Sequence, residues 1–130
     1  MQLIPMKNLT GSPVQEETLR AEHAAAKKFG RVALGDTHLF MSRILGLGGG
    51  FIAYEDIDRW YVRQLEATVE VSEFYSYMFV VEYAKGDKFE EFAINYEEKK
   101  KIDALRKAFA ETHPEVTFGR DPNRKSRLNW

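Results

Sequence analysis

The chain has no cysteine at all. That excludes a disulfide framework, a thiolate zinc site and a cysteine nucleophile, and it fits a reducing compartment. Long apolar runs are missing too. The longest are a few residues, far below the roughly 18 that a membrane-spanning helix needs. The segment before Ser12 is short and broken by Pro5, unlike a signal peptide, so a cytoplasmic setting is expected. Histidine is scarce: His23, His38 and His113 fall in three different elements, none at a metal spacing. Concentrated basic charge is also lacking in the body of the chain. Residues 32–96 hold five basic and eleven acidic side chains, which would repel a polyanion and excludes nucleic acid as a partner.

What is present is an ordinary globular composition of 130 residues, 44% hydrophobic and 30% charged, the size of one domain. Charge is partitioned: both ends are mildly basic and the middle is acidic. Near the end lies a dense basic stretch, Arg120, Arg124, Lys125 and Arg127.

Ser12-Pro13-Val14-Gln15 reads as a capped helix start, and the alanine-rich stretch that follows predicts a helix to Lys28, with Gly30 as its stop. From Arg31 the period changes to strands. Arg31 to Leu34 and Thr37 to Arg43 flank the turn Gly35-Asp36, a glycine run spans Gly46 to Gly50, and Phe51 to Tyr54 resumes the extended pattern. Ile57 to Leu65 and Thr68 to Val71 alternate, and Tyr75 to Ala84 is the strongest strand, turning at Gly86-Asp87 into Lys88 to Ile94. Twelve of the seventeen aromatics lie between Phe51 and Tyr96, so this sheet should dominate the core. Asn95 and Glu98 resemble a capping box before an amphipathic helix carrying Ile102, Leu105, Ala108 and Phe109 on one face. Pro114 ends it, and Glu115 to Phe118 suggests a short extended piece. The class expected is α+β on an antiparallel sheet.

Val32-Ala33-Leu34-Gly35-Asp36-Thr37-His38-Leu39-Phe40, then a glycine-rich linker, then Ile52-Ala53-Tyr54-Glu55-Asp56-Ile57, resembles the bacterial pleckstrin-homology-like (PH-like) domain families over about residues 30–112. The reminiscent features are the leucine–aromatic pair after the first turn and the Ile-x-Tyr-x-Asp-Ile entry to the next strand. The resemblance implies a bent antiparallel sheet or partly open barrel of about six to seven strands, closed by the C-terminal helix. The N-terminal helix is an addition. The organisation expected is an N-terminal segment and helix over 1–30, a PH-like domain over 31–118 with its helix at about 96–113, and a basic mobile tail over 119–130. The resemblance also implies a binding or assembly module without a catalytic centre. Eukaryotic relatives hold phosphoinositides through basic residues in the first hairpin, but here that turn is Gly35-Asp36, short and acidic.

No catalytic, cofactor or metal constellation stands out. The glycine run has Phe51 where a dinucleotide loop needs its third glycine, and it leads into a strand. Asp56 and Asp58 would share one face of a strand, which makes a small-ligand or metal site near them a minor alternative. Trp60 and Tyr61 are adjacent on an alternating strand and point to opposite faces. One of them is therefore expected in an exposed apolar patch, with Tyr54 and Met41 joining it. The function expected is protein association, beginning with a homo-oligomer and using an exposed strand edge. The other reading is weak attachment to an anionic membrane surface through Arg120, Arg124, Lys125 and Arg127.

Overall fold

A computed structural model describes residues 6–43, 48–69, 72–96 and 99–119, with the backbone alone for 64–69, 72–76 and Lys99. The order is β1 (Lys7–Asn8), α1 (Glu16–Ala25), β2 (Lys27–Phe29), β3 (Val32–Leu34), β4 (His38–Met41), β5 (Gly50–Ala53), a 3₁₀ turn (Tyr54–Asp56), β6 (Ile57–Val69), β7 (Ser72–Lys85), β8 (Lys88–Asn95), α2 (Lys99–Thr112) and β9 (Thr117–Phe118). The fold is α+β with two mixed sheets, in the orders β1-β5-β4-β3-β2 and β8-β7-β6-β9. Consecutive strands pair antiparallel within each sheet. The short β1 and β9 add in parallel, to β5 and β6 respectively.

The main core lies between the sheets. Alternation delivers Val32, Leu34, Leu39, Met41 and Ile52 from the first sheet to face Trp60, Phe79, Val81, Tyr83 and Ile94 from the second. Helix α2 adds Leu105 and Phe109 fully buried, with Ile102 and Ala108 half-buried, one stripe at i, i+3 and i+4 spacing. A smaller cluster sits on the other face of the first sheet. There Leu19 of α1 and Met6 pack on Ala33, Phe40 and Phe51, with His23 edge-on to Phe40 at 4.7 Å. Helix α1 therefore covers its own chain's sheet.

Three boundaries differ from the sequence reading. Ser12 does not cap α1: its hydroxyl donates to Asp56 Oδ2 at 2.9 Å, and the helix begins after Gln15. Helix α1 stops at Ala25, because Lys27–Phe29 pairs with Val32–Leu34 in a hairpin that outweighs the helix propensity of two lysines. Asn95 belongs to β8, opposite Met78, and does not cap α2; Glu98 lies outside the described residues. The two strands expected over 57–71 are one 13-residue strand, irregular only between Ile57 and Arg59.

Candidate functional site

The residues expected to form an exposed patch are interior. Met41 and Trp60 are 0% and 2% exposed, and Tyr54 and Tyr61 are 5% and 6%. Trp60 stacks on Phe109 at 4.6 Å and Phe79 at 5.4 Å, and Phe118 meets it edge-on at 4.7 Å. The Tyr54 hydroxyl donates to the Gly35 carbonyl at 2.9 Å, and its ring stacks on His113 at 3.4 Å. Burial, with the carboxylates of Glu22, Asp36 and Glu115 nearby, pushes the Tyr54 phenol well above its usual range. Trp60 and Tyr61 do point to opposite faces, as alternation requires. The expectation fails because the outer face of the second sheet is covered as well. Tyr61 pairs there with fully buried Val80, beside buried Glu82, and the half-buried Arg59 and Arg63 flank it.

Asp56 and Asp58 do not form a paired site. Asp56 sits in the 3₁₀ turn, where its Oδ2 accepts from the Thr10 and Ser12 hydroxyls at 3.0 and 2.9 Å. Asp58 lies at the irregularity of β6, with its Oδ2 3.2 Å from Arg59 Nε. Among the described residues no His, Asp or Glu group is arranged to hold a metal ion. No helix among them is long and apolar enough to cross a membrane. Within the glycine run, Gly46 lies outside the described residues, and Gly50 is a β5 residue whose missing side chain admits Leu9. Arg120, Arg124, Lys125 and Arg127 also lie outside them.

Glu22 carried no signal in the sequence, yet it organises the first turn. Its carboxylate accepts from the backbone N–H groups of Thr37 and His38 at 2.7 and 2.6 Å and from the Thr37 hydroxyl at 2.7 Å, and it lies 3.0 Å from His38 Nδ1. Helix α1 is thereby fixed to the β3–β4 turn. The partner of His38 is its own chain.

The arrangement with external chemistry is the border between α2 and the second sheet. Here the sheet meets the helix through a groove of about 350 Å³ between Trp60, Arg106, Phe109 and Phe118. A neighbouring hollow of about 200 Å³ extends it past Val62, Tyr77 and Ile102. Phe118 is 43% exposed, and the Arg106 guanidinium lies over its ring at 4.3 Å. The strand that borders this groove is β6. Among the described residues its outer edge pairs with β9 at Arg59 and Trp60. The pairing ends with the Gly119 N–H donating to the Trp60 carbonyl at 2.8 Å and Arg59 Nη1 donating to the Gly119 carbonyl at 3.1 Å. Gly119 has φ +114°, outside strand conformation. From Val62 to Val69 no strand flanks that edge among the described residues.

The opposite border of the sheet is treated differently. Arg31 Nη1 and Arg43 Nη2, both following strands of the first sheet's hairpin, reach the Asn95 and Ala93 carbonyls of β8 at 3.5 Å, and Arg43 also lies 4.8 Å from the centre of the Phe92 ring. Charged side chains on an edge discourage strand addition. One border is thus blunted by guanidinium groups, and along the other, from Val62 to Val69, no described strand is added.

Comparison of the chain with protein-family models, with curated proteins and with solved structures finds no match.

Proposed function

We propose that the chain is a non-enzymatic, PH-like binding and assembly module that acts by protein association, including association with itself. Its topology supports the PH-like reading: a meander of four strands, β2 to β5, then a meander of three, β6 to β8, then a helix packed over the core between them. The sheets approach at the β8 border, where Arg31 and Arg43 bridge them by side chains, in keeping with a partly open barrel.

The observation that carries the functional reading is the edge of β6 beside the α2 groove, which no described strand flanks from Val62 to Val69. An unpaired strand edge is a row of backbone donors and acceptors of fixed spacing, and its natural complement is another extended polypeptide. The aromatic residues first expected to mediate association now have a structural role, so the edge takes their place. Molar mass by light scattering across a concentration range tests the reading, on the full chain and on a variant with Arg120, Arg124, Lys125 and Arg127 replaced by Ser. A mass above 15.1 kDa in both supports association through the folded part. A mass of 15.1 kDa for both at every concentration, together with sedimentation of the parent alone on anionic vesicles, would overturn it in favour of membrane attachment.

A further inference from the structure

We infer that the edge of β6 from Val62 to Val69, which no described strand flanks, is filled by the same edge of a second copy of this chain, antiparallel about a two-fold axis through residue 65. This deepens the assembly reading and rests on it. Three features of the backbone lead there.

The first is polarity. The Trp60 carbonyl points to the outer edge, where it accepts from Gly119. From Arg59 to Val69 the pairing with β7 is regular, so backbone groups alternate along the strand. The N–H and C=O groups of residues 62, 64, 66 and 68 therefore face outward, while those of 61, 63, 65 and 67 serve β7.

The second is support. β8 ends at Asn95, opposite Met78, and Tyr96 adds one bond to the Tyr77 carbonyl. β9 ends opposite Trp60. Beyond these points, among the described residues, the β6–β7 hairpin continues as two strands alone, to the pair Val69 and Ser72. A two-stranded ribbon is marginal in water, and a third strand gives it independent stability.

The third is length. The open stretch is bounded at one end by β9 and at the other by the hairpin tip. A two-fold axis through residue 65 sets 62 against 68 and 64 against 66 of the other copy, each pair exchanging both of its hydrogen bonds. It also brings each hairpin tip to the end of the other copy's β9. The stretch thus matches itself in length, direction and hydrogen-bonding phase. An axis between two residues would set outward groups against inward ones. The result is an isologous dimer in which the two second sheets become one.

The absence of cysteine allows a direct test. Across the new seam residue 65 faces its own copy in a pair that exchanges no hydrogen bonds with it, with Cα atoms about 4.5 Å apart, within disulfide reach. Leu65→Cys is expected to oxidise to a covalent dimer at least tenfold faster than Asp87→Cys, placed in the β7–β8 turn. Separately, Glu66→Pro removes one outward N–H and leaves the bonds to β7 intact, so it should return a dimer mass to 15.1 kDa with unchanged circular dichroism. Gln64→Pro serves if Glu66→Pro fails to fold. An oligomer that survives a folded proline variant and shows no preferential link at residue 65 overturns the inference and leaves the assembly reading standing. A monomer at all concentrations overturns the self-association in both.

Discussion

Replacing Glu22 by Ala is expected to cost about 2–6 kcal/mol of folding stability. The figure follows from the donors that the carboxylate serves. The Thr37 N–H and hydroxyl are exposed, so water replaces the lost acceptor and each costs about 0.5–1.5 kcal/mol. The His38 N–H is partly buried, and leaving it without a partner costs about 1–3 kcal/mol. With a urea dependence of about 2 kcal/mol per molar, the midpoint followed by tryptophan fluorescence should fall by about 1–3 M. Gly35→Ala should act through the same contact, because its new Cβ would lie 2.8 Å from Glu22 Cγ and displace the carboxylate. The double variant should therefore lose less than the two losses added. Acid supplies a second readout. Burial alone would raise the Glu22 carboxyl, but the hydrogen bonds from Thr37 and His38 outweigh it and hold the group below 4.5. A group depressed in the folded state contributes fully above its unfolded pKa, and the contribution is lost as pH falls through the folded one. Parent stability should thus decline on acidification below about pH 4.5 with a slope that Glu22→Gln lacks. An Ala variant within about 0.5 kcal/mol of the parent, or an unchanged acid slope in Glu22→Gln, would refute the reasoning.

Other outcomes follow from the packing. Trp60→Ala removes the ring held between Phe79, Phe109 and Phe118 and should lose about 3–5 kcal/mol in chemical denaturation. Tyr54→Phe should cost about 1 kcal/mol, since it deprives the buried Gly35 carbonyl of its donor. The same substitution should remove one late-titrating phenol from the ultraviolet titration of the native protein, because Tyr54 is raised well above the usual tyrosine value. Joint replacement of Arg31 and Arg43 by Ala uncovers the β8 carbonyls and should convert a defined species into polydisperse aggregate in size-exclusion chromatography.

Local pattern carried much of this architecture. Gly35-Asp36 and Gly86-Asp87 marked their turns, and Ile102, Leu105, Ala108 and Phe109 marked the buried stripe of α2, because turn chemistry and helical period are written in neighbouring residues. Lys27–Phe29 reads as helix for the same reason: its neighbours favour helix, and only pairing with β3 makes it a strand. Glu22 was illegible because its donors lie 15 and 16 residues away. The alternation of Trp60 and Tyr61 was legible, but the covering of both faces depends on Val80 and on Phe109 and Phe118, far along the chain. The unflanked edge of β6 is less local still, because among the described residues it exists where β9 stops.

The surroundings of Trp60 also impose an order of events on a chain made from its N-terminus. The strands of the first sheet are all present once Ala53 has been added, and they can pair while synthesis continues. The indole has no such early shelter. Its lid arrives in two late instalments, Phe109 on α2 and Phe118 on β9. Until both have emerged, the indole has Phe79 as a stacking partner but lacks the rings of Phe109 and Phe118. Recruitment of Trp60 into its final stack is therefore among the last steps of maturation, and its emission is a natural clock for completion of the fold.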